Sequence, residues 1–229
     1  MDTLDKQAIG ILTDNDRGGY TIPTSGLYPY QWNWDSAFAA LGFATFDIGR
    51  AWQELETLLT AQWENGMVPH IVFHQEDDGY FPGPQVWQGI GPIASSGISQ
   101  PPLLATFARK IYHKDPTLGA FKLRAMYPAL LKWHRWYMEC RAESGAVATT
   151  HPWESGRDNA VDWDEAMKAV DISNVGDYQR RDTSHVDPAM RPTKLDYDRY
   201  LALLYFGRDC GWDESVIRDH GPFRVATPR

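Results

Sequence analysis

Apolar residues recur at helical spacing through most of this chain, and the alternation that would mark β-strands is almost absent. After Asp47, an N-cap candidate, Ile48, Ala51, Trp52, Leu55, Leu58 and Leu59 share one face of a helix over 47–63. The same spacing gives Leu103, Leu104, Phe107 and Ile111 within 100–113, and Leu123, Met126, Leu130, Trp133, Tyr137 and Cys140 within 119–142. Leu195, Tyr200, Leu203 and Leu204 mark a helix over 194–209. A short apolar helix over 35–45 opens on an acidic cap candidate, and a last weak helix runs from Asp213 to Asp219. Ser99 is placed to cap the helix of 100–113, with the prolines of QPP in its first turn. The one strand candidate is MVPHIVF, residues 67–73. The final GPFRVATPR reads as an apolar loop that closes no helix, as if the chain were cut. The fold class expected from this pattern is all-α. Loops of roughly 13–36 residues separate the helices, and loops of that length usually carry function.

Composition narrows the function. Lys and Arg number 22 against 30 Asp and Glu, a net charge of −8, which argues against a broad nucleic-acid or anionic-membrane surface. No apolar stretch is long enough to span a membrane, and the first residues lack the basic and apolar regions of a signal peptide. Cys140 and Cys210 lie in helix-like contexts and read as separate thiols, so a cytoplasmic location is expected. GxGxxG, GxxxxGK[ST] and GxSxG are all missing, which removes the usual signals for nucleotide binding and serine-hydrolase chemistry. No cofactor and no metal is expected: HExxH and clustered Cys/His are absent, and the acidic residues at 158, 162, 164 and 165 do not fit an EF-hand loop. The pair Asp77-Asp78 runs into Gly-Tyr-Phe, not the DDxxD of an all-α terpene-type enzyme.

What stands out is ten Trp, eleven Tyr and nine Phe, many of them beside carboxylates in the loops. YPYQWNWDS (28–36) sets Trp32 and Trp34 among Tyr28, Tyr30, Gln31 and Asp35. Indole faces suit the C–H faces of a sugar, and a carboxylate suits its hydroxyl fringe. The segment also reads as core aromatics ahead of a helix cap. HPWESGRDNAVDWD (151–164) packs Glu154, Asp158, Asp162 and Asp164 with Trp153 and Trp163. A carboxylic acid beside an apolar wall has the raised pKa that protonating a glycosidic oxygen requires, unless the neighbouring Arg157 points the same way and lowers it. The alternative is an acidic surface loop. Within 65–84, His70, His74 and Tyr80 are within reach of a pocket, and Gln100 stands at a helix start. Arg191 and Tyr197 suit a ligand carboxylate, unless Arg191 pairs with Asp187 or Asp196 and only shapes its loop.

Together NDRGGYTIPTSGLYPYQWNWDSAFAALGFATFD, AQWENGMVPHIVF, SSGISQPP, HPWESGRDN and RPTKLDYDRY closely resemble the bacterial members of glycoside hydrolase family 63 that act on glucosylglycerate and mannosylglycerate. ESGRD also resembles the ESGWD of trehalases, a related (α/α)6 family. The resemblance implies an inverting α-glycosidase on an (α/α)6 toroid, with a small sugar or glycosyl-glycerate as partner. It gives Asp158 the general-acid role. Trp32, Trp34, Asp35 and Gln100 would line the sugar subsite and Trp153 would wall it. Tyr28, Tyr80, Arg191 and Tyr197 would hold the aglycone, Arg191 on the glycerate carboxylate. Only about half the helices of a full toroid are legible, so residues 1–229 are expected to be the N-terminal part of one such domain, with the general base in a missing C-terminal half. Helix faces left bare by that half would favour pairing between copies. Two other readings remain: a catalytically silent sugar-binding fragment, and a hydrolase of neutral sugars of the trehalase or α-glucosidase type.

Overall fold

The computed structural model describes residues 3–143, 145–183 and 187–227. The chain opens with α1 (Thr3–Asp14), which lies on the outside and buries none of its residues. Strand β1 (Gln31–Trp32) runs straight into α2 (Asn33–Phe43), and α3 (Ile48–Leu59) folds back on α2. Asp47 Oδ1 caps α3 by accepting from Arg50 N at 2.9 Å, and Ala51, Trp52, Leu55 and Leu58 form its buried face. Strand β2 (Ile71–Val72) pairs antiparallel with β1, and a single turn, α4 (Pro84–Trp87), follows.

A second hairpin, α5 (Leu104–Tyr112) and α6 (Pro116–Trp136), packs on the first. Asp115 caps α6 through Thr117 N and Leu118 N, both at 3.1 Å. The helix passes into a π-turn at Tyr137–Arg141 and then into β3 (Ala142–Glu143) and β4 (Ala146–Thr149). Short 3-10 turns at Pro152–Ser155 and Val161–Trp163 lead to α7 (Asp164–Lys168). A further 3-10 turn at Pro188–Met190 precedes α8 (Lys194–Asp209), which a Thr193–Asp196 capping box starts. Last come α9 (Glu214–His220) and β5 (Val225–Thr227), which pairs with β4. The core is rich in indoles: Trp52, Trp87, Trp133 and Trp136 are all essentially inaccessible.

The helical class is as expected, and four sequence expectations need correction. Ser99 caps nothing: its hydroxyl donates to Val68 O at 2.6 Å and accepts from Trp133 Nε1, while α5 begins only at Leu104, beyond the prolines. The helix placed over 35–45 starts at Asn33, so Asp35 lies inside its first turn. The helix placed over 119–142 starts at Pro116 and ends in the π-turn. Within the closing GPFRVATPR, residues 225–227 form a strand. Cys140 and Cys210 are both free thiols. No helix of the described residues is long and apolar enough to cross a membrane.

Candidate active site

A buried carboxylate holds the first loop in shape. Glu54, on α3, accepts from Thr21 N, Thr21 Oγ1, Gln31 Nε2, Ser36 Oγ and Arg50 Nη2 at 2.6–3.2 Å. Asn33 Nδ2 donates to Val68 O and Pro69 O, and Asn33 N to His70 O. Trp32, Trp34 and Asp35 therefore leave the β1–α2 junction in fixed directions. Trp34 N, a free donor of the first turn of α2, gives its hydrogen to Gln100 Oε1 at 3.1 Å.

These side chains face an open cavity of about 280 Å³. Tyr28, Trp32, Trp34, Asp35, His70, Tyr80, Gln100, Trp153, Asp158, Arg191 and Tyr197 all line it. Five segments far apart in the chain are thus brought to one place. Gly156, at φ 68°, turns the chain between Trp153 and Asp158 and lies against the Trp34 indole, where an added Cβ would stand 2.8 Å from Cη2. Glycine alone meets both the left-handed backbone and the close approach.

Of the four acidic residues in the 151–164 segment, only Asp158 reaches the cavity. Glu154 is buried behind it, accepting from Thr150 N, Ser99 N and Arg141 Nη2. Asp162 is on the surface, where it pairs with Arg157. Arg157 therefore points away from Asp158, and the guanidinium that acts on Asp158 is that of Arg191. Burial raises Asp158 to about 6, with the nearby Asp35 adding to the effect and Arg191 opposing it. Burial likewise raises Asp35 to about 6. By surface area Asp158 is an exposed residue, open to water on its cavity side, while the protein walls of the cavity crowd its carboxyl on the others. His70, held by Ser96 Oγ at 3.0 Å, shows only a small edge to the cavity, and burial holds it well below the usual imidazole range. His74 does not reach the cavity: it stacks on Tyr20 and contacts Gln31 Oε1 at 2.8 Å.

At the far end of the cavity Arg191 pairs with neither Asp187 nor Asp196. Its Nε donates to Asp182 Oδ2 at 3.0 Å and its Nη1 reaches Tyr28 Oη at 3.5 Å. Arg180 grips the same Asp182 in a fork, Nε to Oδ1 at 2.9 Å and Nη2 to Oδ2 at 2.6 Å, and lies 4.4 Å over the Tyr197 ring. Tyr197 Oη donates to Phe81 O at 3.2 Å. Arg181, Asp182, Asn159 and Tyr200 also line the cavity and were not singled out from the sequence. Arg-Arg-Asp is an ordinary surface tripeptide until Arg191 folds back on it, and Tyr200 looked like one more apolar position of a helix. Among the described residues no group of three or more His, Cys, Asp or Glu could hold a metal ion.

Comparison with known proteins finds relatives along nearly the whole of this chain. Residues 28–229 match the family described as the mannosylglycerate hydrolase MGH1-like glycoside hydrolase domain. A mannosylglycerate hydrolase of Selaginella moellendorffii is 52% identical over 94% of this chain and 45% of its own length. One from Thermus thermophilus is 48% identical over 96% of this chain and 54% of its own. A glucosylglycerate hydrolase of Mycolicibacterium hassiacum is 43% identical over 97% and 54%. The crystal structure of the GH63 mannosylglycerate hydrolase from Thermus thermophilus in complex with Tris and D-glycerate superposes with a TM-score of 0.92 at 47% identity, again over 96% of this chain and 54% of that one. The chain spans about half the length of the relatives it matches.

Proposed function

From a chain that belongs to the mannosylglycerate hydrolase MGH1-like glycoside hydrolase family, we propose an inverting hydrolysis of a small α-glycoside, glucosylglycerate or mannosylglycerate, with Asp158 as its general acid. Support comes from a folded shape shared with half of a GH63 hydrolase, as a half toroid requires, and above all from the carboxyl of Asp158. That carboxyl stands in a cavity walled by indoles, and burial raises it to about 6. A carboxylic acid that keeps its proton near neutrality can deliver it to a glycosidic oxygen as the bond breaks. Trp34 and Trp153 offer faces to a sugar ring, Asp35 offers acceptors to its hydroxyls, and Gln100, its oxygen taken by Trp34 N, offers an amide donor. Inversion needs a water activated on the opposite face of the ring by a second carboxylate, roughly 6.5–9.5 Å from the acid. We place that base in the part of the relatives' length that this chain does not span.

At the aglycone end, Arg191 has its Nε taken by Asp182 and keeps its outer edge, beside the Tyr28 hydroxyl, for an anion. A guanidinium there favours a glycerate carboxylate over a neutral second sugar. Two free thiols suit a reducing compartment, and we place the protein in the cytoplasm.

The decisive experiment is Asp158→Asn in the full-length enzyme. The amide keeps the shape and carries no transferable proton. Turnover of a glycerate glycoside should fall at least ~10²-fold, as loss of general-acid help does, with binding retained. A glycosyl fluoride, whose leaving group needs little proton assistance, should fall far less. An equal fall on both substrates would remove Asp158 from the acid role.

A further inference from the structure

A general acid works only if its carboxyl stays aimed at the leaving oxygen, and Asp158 lies in a loop between two 3-10 turns. The backbone of that loop is held on both sides of Asp158. On the N-terminal side, Arg157 O accepts from Trp163 Nε1 at 2.8 Å and from Ala160 N at 3.0 Å. On the C-terminal side, Asp158 O accepts from the Tyr200 hydroxyl at 3.1 Å. The same hydroxyl lies 3.2 Å from the Asn159 side-chain oxygen. One phenolic hydrogen serves one acceptor at a time, and with its amide turned over Asn159 becomes the donor to Tyr200 Oη, so both contacts are satisfied together. Neither anchor can wander. Trp163 and Tyr200 are 3% and 5% exposed. The Tyr200 ring packs on Trp153 at 5.3 Å, and its own carbonyl accepts from His151 Nε2 at 3.0 Å.

We propose that Tyr200 is a positioning residue for the proton donor: together with Trp163 it fixes the peptide planes before and after Asp158, and thereby the direction of the Asp158 Cα–Cβ bond. This rests on the reading of Asp158 as the acid. In this role Tyr200 does not handle the transferred proton, although its side chain also borders the cavity. It acts through one main-chain oxygen, that of Asp158, while Trp163 holds that of Arg157, which is why no charge or motif in the sequence advertises it. A side chain that swings by about an ångström loses much of the advantage of a prealigned donor.

The test is Tyr200→Phe in the full-length enzyme, which keeps the ring and its packing and removes the donor. On a glycerate glycoside, kcat should fall by roughly 10–100-fold with KM little changed. On the glycosyl fluoride of the same sugar the fall should stay within about threefold, since that substrate asks little of the acid. Trp163→Phe should reproduce the pattern from the other side. Rates unchanged by Tyr200→Phe, or lost equally on the two substrates, would overturn the proposal and leave Tyr200 a packing residue. Asp158→Asn run alongside separates the two levels. If Asp158→Asn discriminates between the substrates and Tyr200→Phe does not, only the positioning role fails. If Asp158→Asn itself does not discriminate, the acid assignment fails and takes this one with it.

Discussion

At the scale of single residues, the pairing of Arg191 with Asp182 decides what its removal should do. Asp182 keeps the fork of Arg180 when Arg191 is truncated, so its charge stays compensated. Arg191→Ala should therefore cost no more than about 1 kcal/mol of stability. A glycerate-linked substrate should lose a charge-assisted contact of roughly 1.5–3 kcal/mol, a fall of roughly 10–150-fold in kcat/KM. A neutral glycoside should hardly change, and Arg191→Lys should recover part of the loss. Kinetics on the two substrates and a melting curve on the same variant check this; a uniform loss with a lowered melting point would end the anion-anchor role. Two carboxylates raised to about 6 also set the pH behaviour. The proposed acid must be protonated, so kcat/KM on a glycerate glycoside should decline as pH rises through about 6. For stability, a carboxyl with a raised folded pKa favours the folded state when protonated. That benefit is complete below the ordinary carboxylate pKa of about 4 and is lost as pH climbs through about 6. Asp158→Asn should accordingly raise the melting temperature at pH 8 and leave it nearly unchanged at pH 4, an effect that contact with cavity water keeps small. Indoles beside carboxylates left a core or surface-loop reading open in the sequence; it was the resemblance of the motifs that pointed to the residues lining this cavity. Asp182 and Tyr200 were not legible, because their roles depend on partners that only the fold supplies.

At the scale of elements, one buried arginine ties four segments together. Arg141, on the π-turn that ends α6, is 1% exposed and donates to Thr150 Oγ1, to Glu154 at 3.2 Å and to Glu214 at 3.0 Å. Glu154 in turn accepts from Ser99 N, so the 95–102 loop and α9 share one anchor. Arg141→Met would leave two carboxylates buried without their cation, and breaking such a pair costs about 3–5 kcal/mol. Burial raises Glu214 to about 7 even with Arg141 present, so the deficit should be larger at pH 8 than at pH 5. Urea unfolding at the two pH values measures it; equal and small losses would show that the cluster contributes little. The helices resting on caps and apolar stripes were readable in advance: Asp47 opens α3, and α8 covers 194–209 as expected. Helix α1 was missed although Leu4, Ala8, Ile11 and Leu12 recur at helical spacing; it lies on the outside, with Leu12 packed against the core and no residue fully buried. The sheet of β3, β4 and β5 was missed because strands of two to four residues are too short for alternation to register. Ser99 misled because a serine ahead of two prolines looks like a cap, while its hydroxyl is claimed by Val68 O and the Trp133 indole.

At the scale of the whole molecule, the chain spans 45–54% of the length of its named relatives, and the acid proposed for its cavity has no base assigned to it. The purified 229-residue chain is therefore expected to turn over glucosylglycerate and mannosylglycerate at least ~10²-fold more slowly than a full-length relative, the least that loss of general-base help costs. Comparable rates would mean that a residue within these 229 activates the water. The distribution of tryptophan carries one more consequence. Eight of the ten indoles are buried, and only Trp34 and Trp153 are half-open, both on the cavity wall. Intrinsic fluorescence is then mostly a background from the core, with a red-edge contribution from the half-open indoles of the cavity wall. Iodide can quench only that contribution, and a sugar that fills the cavity shields it while shifting its emission to the blue. Occupancy can thus be followed optically in the unlabelled chain, whether or not any bond is cleaved.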